Sequence, residues 1–171
     1  MLGQERYTCP ELEPEEYIPK GDISDSDRSK LTLFQKLFVD QLNAYGFRSV
    51  PTSTVSLSED TYRPEHDGFD LQASISASDL IRSIWAYLHG LLEVARITDT
   101  NHPGVLIFDE PKQQSAKDVS FAELLRRASA SLGHRQQVIF ATSEKRETLN
   151  QLLEGVPHKL IEFAGRVLTR M

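Results

Sequence analysis

The residues with the clearest capacity for chemistry are Asp109 and Glu110, which close the apolar run Val105-Leu106-Ile107-Phe108 and precede Pro111. A buried strand carries such acids to its carboxyl end, where ligands bind in open α/β sheets. There Asp109 can hold Mg²⁺, usually through water, and Glu110 can orient or deprotonate an attacking water. A second candidate is Ile75-Ser76-Ala77-Ser78-Asp79, which opens a long helical pattern. Small hydroxyl residues at a helix start leave backbone N–H groups at a positive dipole end, a setting that accepts an anion. Ordinary capping by Ser76 or Ser78 accounts for the same residues without a ligand.

The elements that must position these residues follow from periodicity. Residues 1–25 form an acidic leader with Pro10, Pro14 and Pro19 and no sustained pattern, and are expected to be extended or disordered. A helix is expected from near Ser26, its cap, with Leu31, Phe34, Phe38 and Leu42 on one face and Gly46 as its stop. Residues 50–73 read as an antiparallel hairpin: Val55 and Leu57 alternate with polar neighbours, Pro64-Glu65-His66-Asp67-Gly68 is turn-like, and Phe69 and Leu71 alternate again. A helix from about Ser78 to Ile97 carries the apolar line Leu80, Ile84, Leu88, Leu91 and Ala95, widened by Ile81, Trp85 and Leu92. Val105–Phe108 reads as a strand buried on both faces, as in a parallel sheet. A helix near Ser120–Leu132, a strand at Gln137–Ala141, a helix near Glu144–Leu153 and a strand at Lys159–Phe163 follow, with Val167-Leu168 as a returning strand after Gly165. Strand–helix alternation in this half predicts α/β layering.

The chain has 171 residues, enough for one core, here expected over residues 26–171. Its net charge of −6 resides wholly in residues 1–27, where eight acids face Arg6 and Lys20. The remaining body is neutral and has no basic stripe of the kind that announces nucleic-acid binding. No apolar run reaches membrane-span length, so no membrane partner is expected. The one cysteine, Cys9, cannot form an internal disulfide, and the cytoplasm is the expected compartment. Trp85 and Tyr87 sit at core spacing rather than on a stacking surface; Arg126-Arg127 and Lys145-Arg146 read as solvated helix charges; His89 and His158 have no ligand-spaced partner.

Taken together, Ser76-Ala77-Ser78-Asp79, Ile81-Arg82, Trp85-Ala86-Tyr87, Leu91-Leu92-Glu93 and Asp109-Glu110-Pro111 resemble the carboxyl-terminal lobe of an ABC-type ATPase head, in the SMC and double-strand-break-repair branch. The resemblance covers about residues 50–170. It implies a partial P-loop NTPase sheet with an antiparallel hairpin and flanking helices, working with ATP and Mg²⁺. Val105–Pro111 would be its Walker B strand, with Asp109 associated with the metal and Glu110 the catalytic carboxylate. Ser76, Ala77, Ser78 and Asp79 would be its signature motif, with Ser76 touching the γ-phosphate of ATP held by a second head. Gln113, Gln114 and Ser115 would lie at the dimer-crossing loop, and Thr142 and Ser143 at the position of the family's switch histidine.

The sequence departs from the family in three places. Ala77 stands for the usual signature glycine, no histidine stands at the switch, and the spacing from signature to Walker B is longer, with Thr98–Pro103 as the extension. The phosphate-binding pattern Gly-x-x-x-x-Gly-Lys-[Ser/Thr] does not occur in these residues. The expectation is therefore an ATPase only when completed by a Walker A-bearing half or partner subunit, in a dimer of two heads, with DNA as a target of the assembled complex. The alternative is an ATPase-like module that scaffolds a partner without catalysis.

Overall fold

The computed structural model describes residues 23–112 and 118–163. These form four α-helices, a three-stranded antiparallel sheet and a two-stranded parallel sheet, so the fold class is mixed α/β. Residues 1–22 of the expected leader, the returning strand at Val167-Leu168 and the segment Gln113–Ser115 lie outside the described residues, while Asp25, the leader's last expected residue, already opens the first helix. Among those described, no helix is long and apolar enough to cross a membrane.

Helix α1 (Asp25–Ala44) is capped by Ser24, whose hydroxyl accepts from the Asp27 N–H; the expected cap Ser26 lies inside the helix. Its end follows the sequence reading. Gly46 takes φ +76°, and its N–H and that of Phe47 donate to Asn43 and Leu42, closing the last turn in the way only a residue free of Cβ strain does cheaply. Phe34, Phe38 and Leu42 are buried, as the periodicity requires, with Leu31 packed beside them.

The hairpin region is richer than expected. Pro64–His66, read from sequence as part of a turn, is a strand (β2) between β1 (Val55–Leu57) and β3 (Phe69–Asp70). The turn contracts to Asp67-Gly68, both at positive φ, as a two-residue hairpin demands. Proline at the first position of β2 leaves the later donors of that strand intact. The Gln35 side chain of α1 donates to the Val55 carbonyl at 2.8 Å and accepts from the Leu57 N–H at 2.6 Å, so α1 covers the edge of β1.

Helix α2 (Ala77–Ile97) starts one residue earlier than expected, and its buried face is rotated. The expected apolar line is half-exposed, with Ile84 at 47%, while Asp79, Arg82, Ser83, Trp85, Ala86, His89 and Leu92 are buried. The reason is that Asp79 and Arg82 satisfy each other and their surroundings by hydrogen bonds, a possibility that apolar counting does not register. Gly90 lets α1 approach closely; a Cβ there would lie 3.0 Å from the Phe34 ring.

Strands β4 (Val105–Asp109) and β5 (Gln137–Ala141) pair in parallel, joined by α3 (Asp118–Ser129). The expectation of burial on both faces fails for β4. Phe108 is buried, but Val105 is 40% and Ile107 66% exposed, because the described helices cover one face of this sheet only. After α4 (Arg146–Leu152), residues 159–163 form no strand and are exposed. An apolar segment becomes a strand only where a ladder partner is available, and none flanks it among the described residues.

One core links all these parts: Phe34, Phe38 and Tyr45 of the α1 region, Trp85 of α2, Phe121 and Leu124 of α3, and Phe108 of β4. Trp85 contacts Tyr45 edge-on at 6.0 Å and Phe121 at 6.1 Å between ring centroids. Trp85→Ala should therefore cost about 3–5 kcal/mol of unfolding free energy, measured by urea denaturation. A loss under about 1 kcal/mol would show that α1, α2 and α3 do not share this core.

Candidate functional site

The parallel register sets Asp109 opposite Ala141, so Glu110 and Thr142 emerge together at the carboxyl end of the sheet. Pairing continues one residue beyond the strand, where the Glu110 N–H donates to the Ala141 carbonyl at 2.8 Å. Glu110 takes φ +43°, a left-handed backbone that costs a non-glycine residue about 1–3 kcal/mol. The Ala141 bond on one side and buried Pro111 on the other hold it there. Asp109 is exposed and Glu110 half-buried. Thr142 Oγ1 accepts from the Glu144 N–H at 3.2 Å, shaping the turn after β5, and Ser143 is exposed.

Sequence reading missed Lys112. Its ammonium donates to Asp118 at 2.6 Å and Glu144 at 2.9 Å, tying together the residue after Pro111, the start of α3 and the turn after β5. Those two bonds hold the ammonium above its ordinary pKa. Its partners lie 6 and 32 positions away, a separation that no short motif exposes.

The second cluster sits at the start of α2. Ser76 caps the helix, its hydroxyl accepting from the Asp79 N–H at 3.3 Å, and lies 3.2 Å from the Ser78 hydroxyl. Asp79 is buried and fully engaged. One carboxylate oxygen accepts from the N–H groups of Arg48 and Ser49 and the Ser49 hydroxyl, and the other from Arg82 at 2.6 Å. Burial alone would push this carboxyl up, but the bonds from Ser49, Arg48 and Arg82 outweigh it and hold the pKa below the ordinary value. Ser76 and Ser78 line a cleft of about 590 Å³ with Arg48, Ser49, Arg82 and Val119, and Ala77 is exposed at the first helical position.

The expected site residues thus fall into two groups. Asp109, Glu110, Thr142 and Ser143 share the sheet end; Ser76, Ala77, Ser78 and Asp79 share the helix start; Gln114 lies outside the described residues. Asp79 stands apart from Ser76 and Ser78, because its oxygens serve the protein's own framework. Among the described residues no three His, Cys, Asp or Glu side chains gather as a metal cage. A single exposed Asp109 is the donor set Mg²⁺ uses when phosphate oxygens and water supply the rest.

A third polar group lies between α1 and α2. Gln41 is fully buried; it donates to Glu93 at 2.9 Å and accepts from the Tyr45 hydroxyl at 3.0 Å. Beside them His89 is fully buried with both ring nitrogens lacking a hydrogen-bond partner, and Glu93 is 3.8 Å away. Burial, with Arg96 and Arg127 opposing further positive charge, pushes its pKa down to about 4.

No protein-family model matches the chain, and no curated protein is significantly similar to it.

The buried imidazole makes stability pH-dependent. Folded His89 takes its proton near pH 4 and the unfolded residue near 6.5, so the unfolded state binds more protons between those values. Stability should fall as pH drops from about 6.5, by on the order of 3 kcal/mol, and this contribution should level off below about pH 4. Asp79, with its lowered pKa, adds a loss only below about pH 4, as the carboxyl protonates. Thermal unfolding of wild type and His89→Leu at several pH values checks this. The decline between pH 6.5 and 4 should flatten in the variant, and an equal slope in both would refute the assignment.

Proposed function

We propose that this chain is one lobe of an ABC/SMC-type ATPase head. It would supply Asp109 and Glu110 as Walker B, and Ser76–Asp79 as signature, to composite ATP·Mg²⁺ sites completed by a Walker A-bearing polypeptide. The observation that carries the reading is the state of the sheet that ends in these acids. Parallel sheets are found with both faces covered. Here β4 and β5 are two parallel strands with Val105, Ile107 and Ile139 exposed on one face. That bare face supports reading the layer as part of a larger sheet, at whose carboxyl end a bound nucleotide would meet Glu110.

In this reading Asp109 holds Mg²⁺ against phosphate oxygens, and Glu110 accepts a proton from the attacking water. Thr142 or Ser143 would donate a hydrogen bond to the phosphate where other heads use a charged histidine. Ser76 and Ser78, with the N–H groups at the start of α2, would receive the γ-phosphate of nucleotide held by a second head. Because that phosphate bridges two heads, its hydrolysis removes contacts that hold them together. The release would move attached segments or DNA.

Two outcomes are expected. In the assembled complex Glu110→Gln should lower the turnover of ATP by about 100- to 10 000-fold, as loss of a general base does, and should retain the ATP-bound dimer on size exclusion. Turnover at the wild-type rate would remove Glu110 from the chemistry. Ile107→Glu, on the bare face, should leave the melting temperature of the isolated chain within a few degrees, since exposed sites carry little stability, while preventing recovery of the Walker A-bearing partner. Unchanged recovery would show that the partner does not cover this face.

A further inference from the structure

The hydrogen bonds of Asp79 and Arg82 extend beyond the cleft. The Arg82 guanidinium, 6% exposed, donates from Nη1 to Asp79 at 2.6 Å and from Nε to Ser120 Oγ at 3.2 Å. Ser120, in the first turn of α3, donates its own hydroxyl proton to the Tyr45 carbonyl at 2.7 Å, which leaves its lone pairs for Arg82. Two residues earlier in the same turn, Asp118 receives Lys112, whose backbone follows Glu110-Pro111. At the other end, the Asp79 oxygen bound to Ser49 fixes the hydroxyl that accepts from the Ser76 N–H at 3.0 Å. Hydrogen bonds and ion pairs, linked by the backbone from Asp118 to Ser120, thus join the end of β4 to the turn carrying Ser76 and Ser78, where Arg82 Nη1 also donates to Ser78 Oγ at 3.4 Å.

We propose that Arg82 is a positioning residue, coupling the α2 turn to the Glu110 end of β4 by locking both to the first turn of α3. What the coupling serves rests on the nucleotide reading; the coupling itself does not. Stability alone is a weak reason for arginine here, since well-packed apolar residues often replace buried ion pairs at no cost or with a gain. Nor does a point charge suffice. The planar fork of arginine reaches Asp79 and Ser120 from two different nitrogens, which a lysine ammonium on a flexible stem does not reproduce. The pair is buried, so its bonds are stronger than in water.

The test uses the full chain without nucleotide, so its failure is distinct from failure of the ATPase reading. Amide hydrogen exchange at Ser49 and Ser76 is compared with and without Lys112→Met, which cuts the line at its β4 end. In the otherwise wild-type chain the substitution should speed exchange at both amides threefold or more. In an Arg82→Lys background, and in a Ser120→Ala background that leaves the Asp79–Arg82 pair intact, Lys112→Met should change neither amide by more than the measurement error. No response in the wild-type background would overturn the proposal. So would an equal response in all three backgrounds. The Ser120→Ala arm keeps the comparison decisive if Arg82→Lys does not fold.

Discussion

The buried pair of Asp79 and Arg82 is the interaction on which the arrangement of both candidate clusters depends. Two charges inside a protein are tolerated only when every lone pair and proton finds a partner, and removal of one partner typically costs about 3–5 kcal/mol. Here partners for the carboxylate and the guanidinium come from the loop after α1, the start of α2 and the first turn of α3. The need to satisfy one carboxylate and one guanidinium therefore fixes three segments distant in sequence. It also explains why the buried face of α2 is turned away from its most apolar line.

Aromatic packing provides the second framework. Tyr45, Trp85, Phe121, Phe140 and Phe108 form a chain of ring contacts with centroid separations between 5.2 and 6.1 Å. Phe108 and Phe140 stack across β4 and β5 one residue before Asp109 and Ala141, which sets the height at which the acids leave the sheet. The polar line fixes the helix starts, and the aromatic line fixes the sheet end. Strain at Glu110 is sustained between them.

Much of this was legible in the residues. The Phe34, Phe38, Leu42 stripe, the stop at Gly46, the cap at Ser76 and the parallel strands 105–109 and 137–141 all follow from local patterns, because periodicity and capping act within a few residues. Other features depended on partners far along the chain. Pro64–His66 resembles a turn until its neighbours on both sides are known. Lys112 finds Asp118 and Glu144 only after folding. Val105–Phe108 reads as fully buried because its composition suits a complete parallel sheet; among the described residues only one face is covered by helices. Residues 159–163 have strand-like composition but no adjacent edge to pair with among the described residues.

The central claim is that this half-sheet carries the catalytic acids of a site finished by another polypeptide. The most direct measurement recovers the tagged full chain from its native cell in the presence of Mg²⁺ and ATP, then assays ATP hydrolysis by the purified assembly and by the chain alone. The account predicts a copurifying protein with a Gly-x-x-x-x-Gly-Lys-[Ser/Thr] loop and hydrolysis by the assembly only. Hydrolysis by the isolated chain, or an assembly with such a partner that leaves ATP intact, would contradict it.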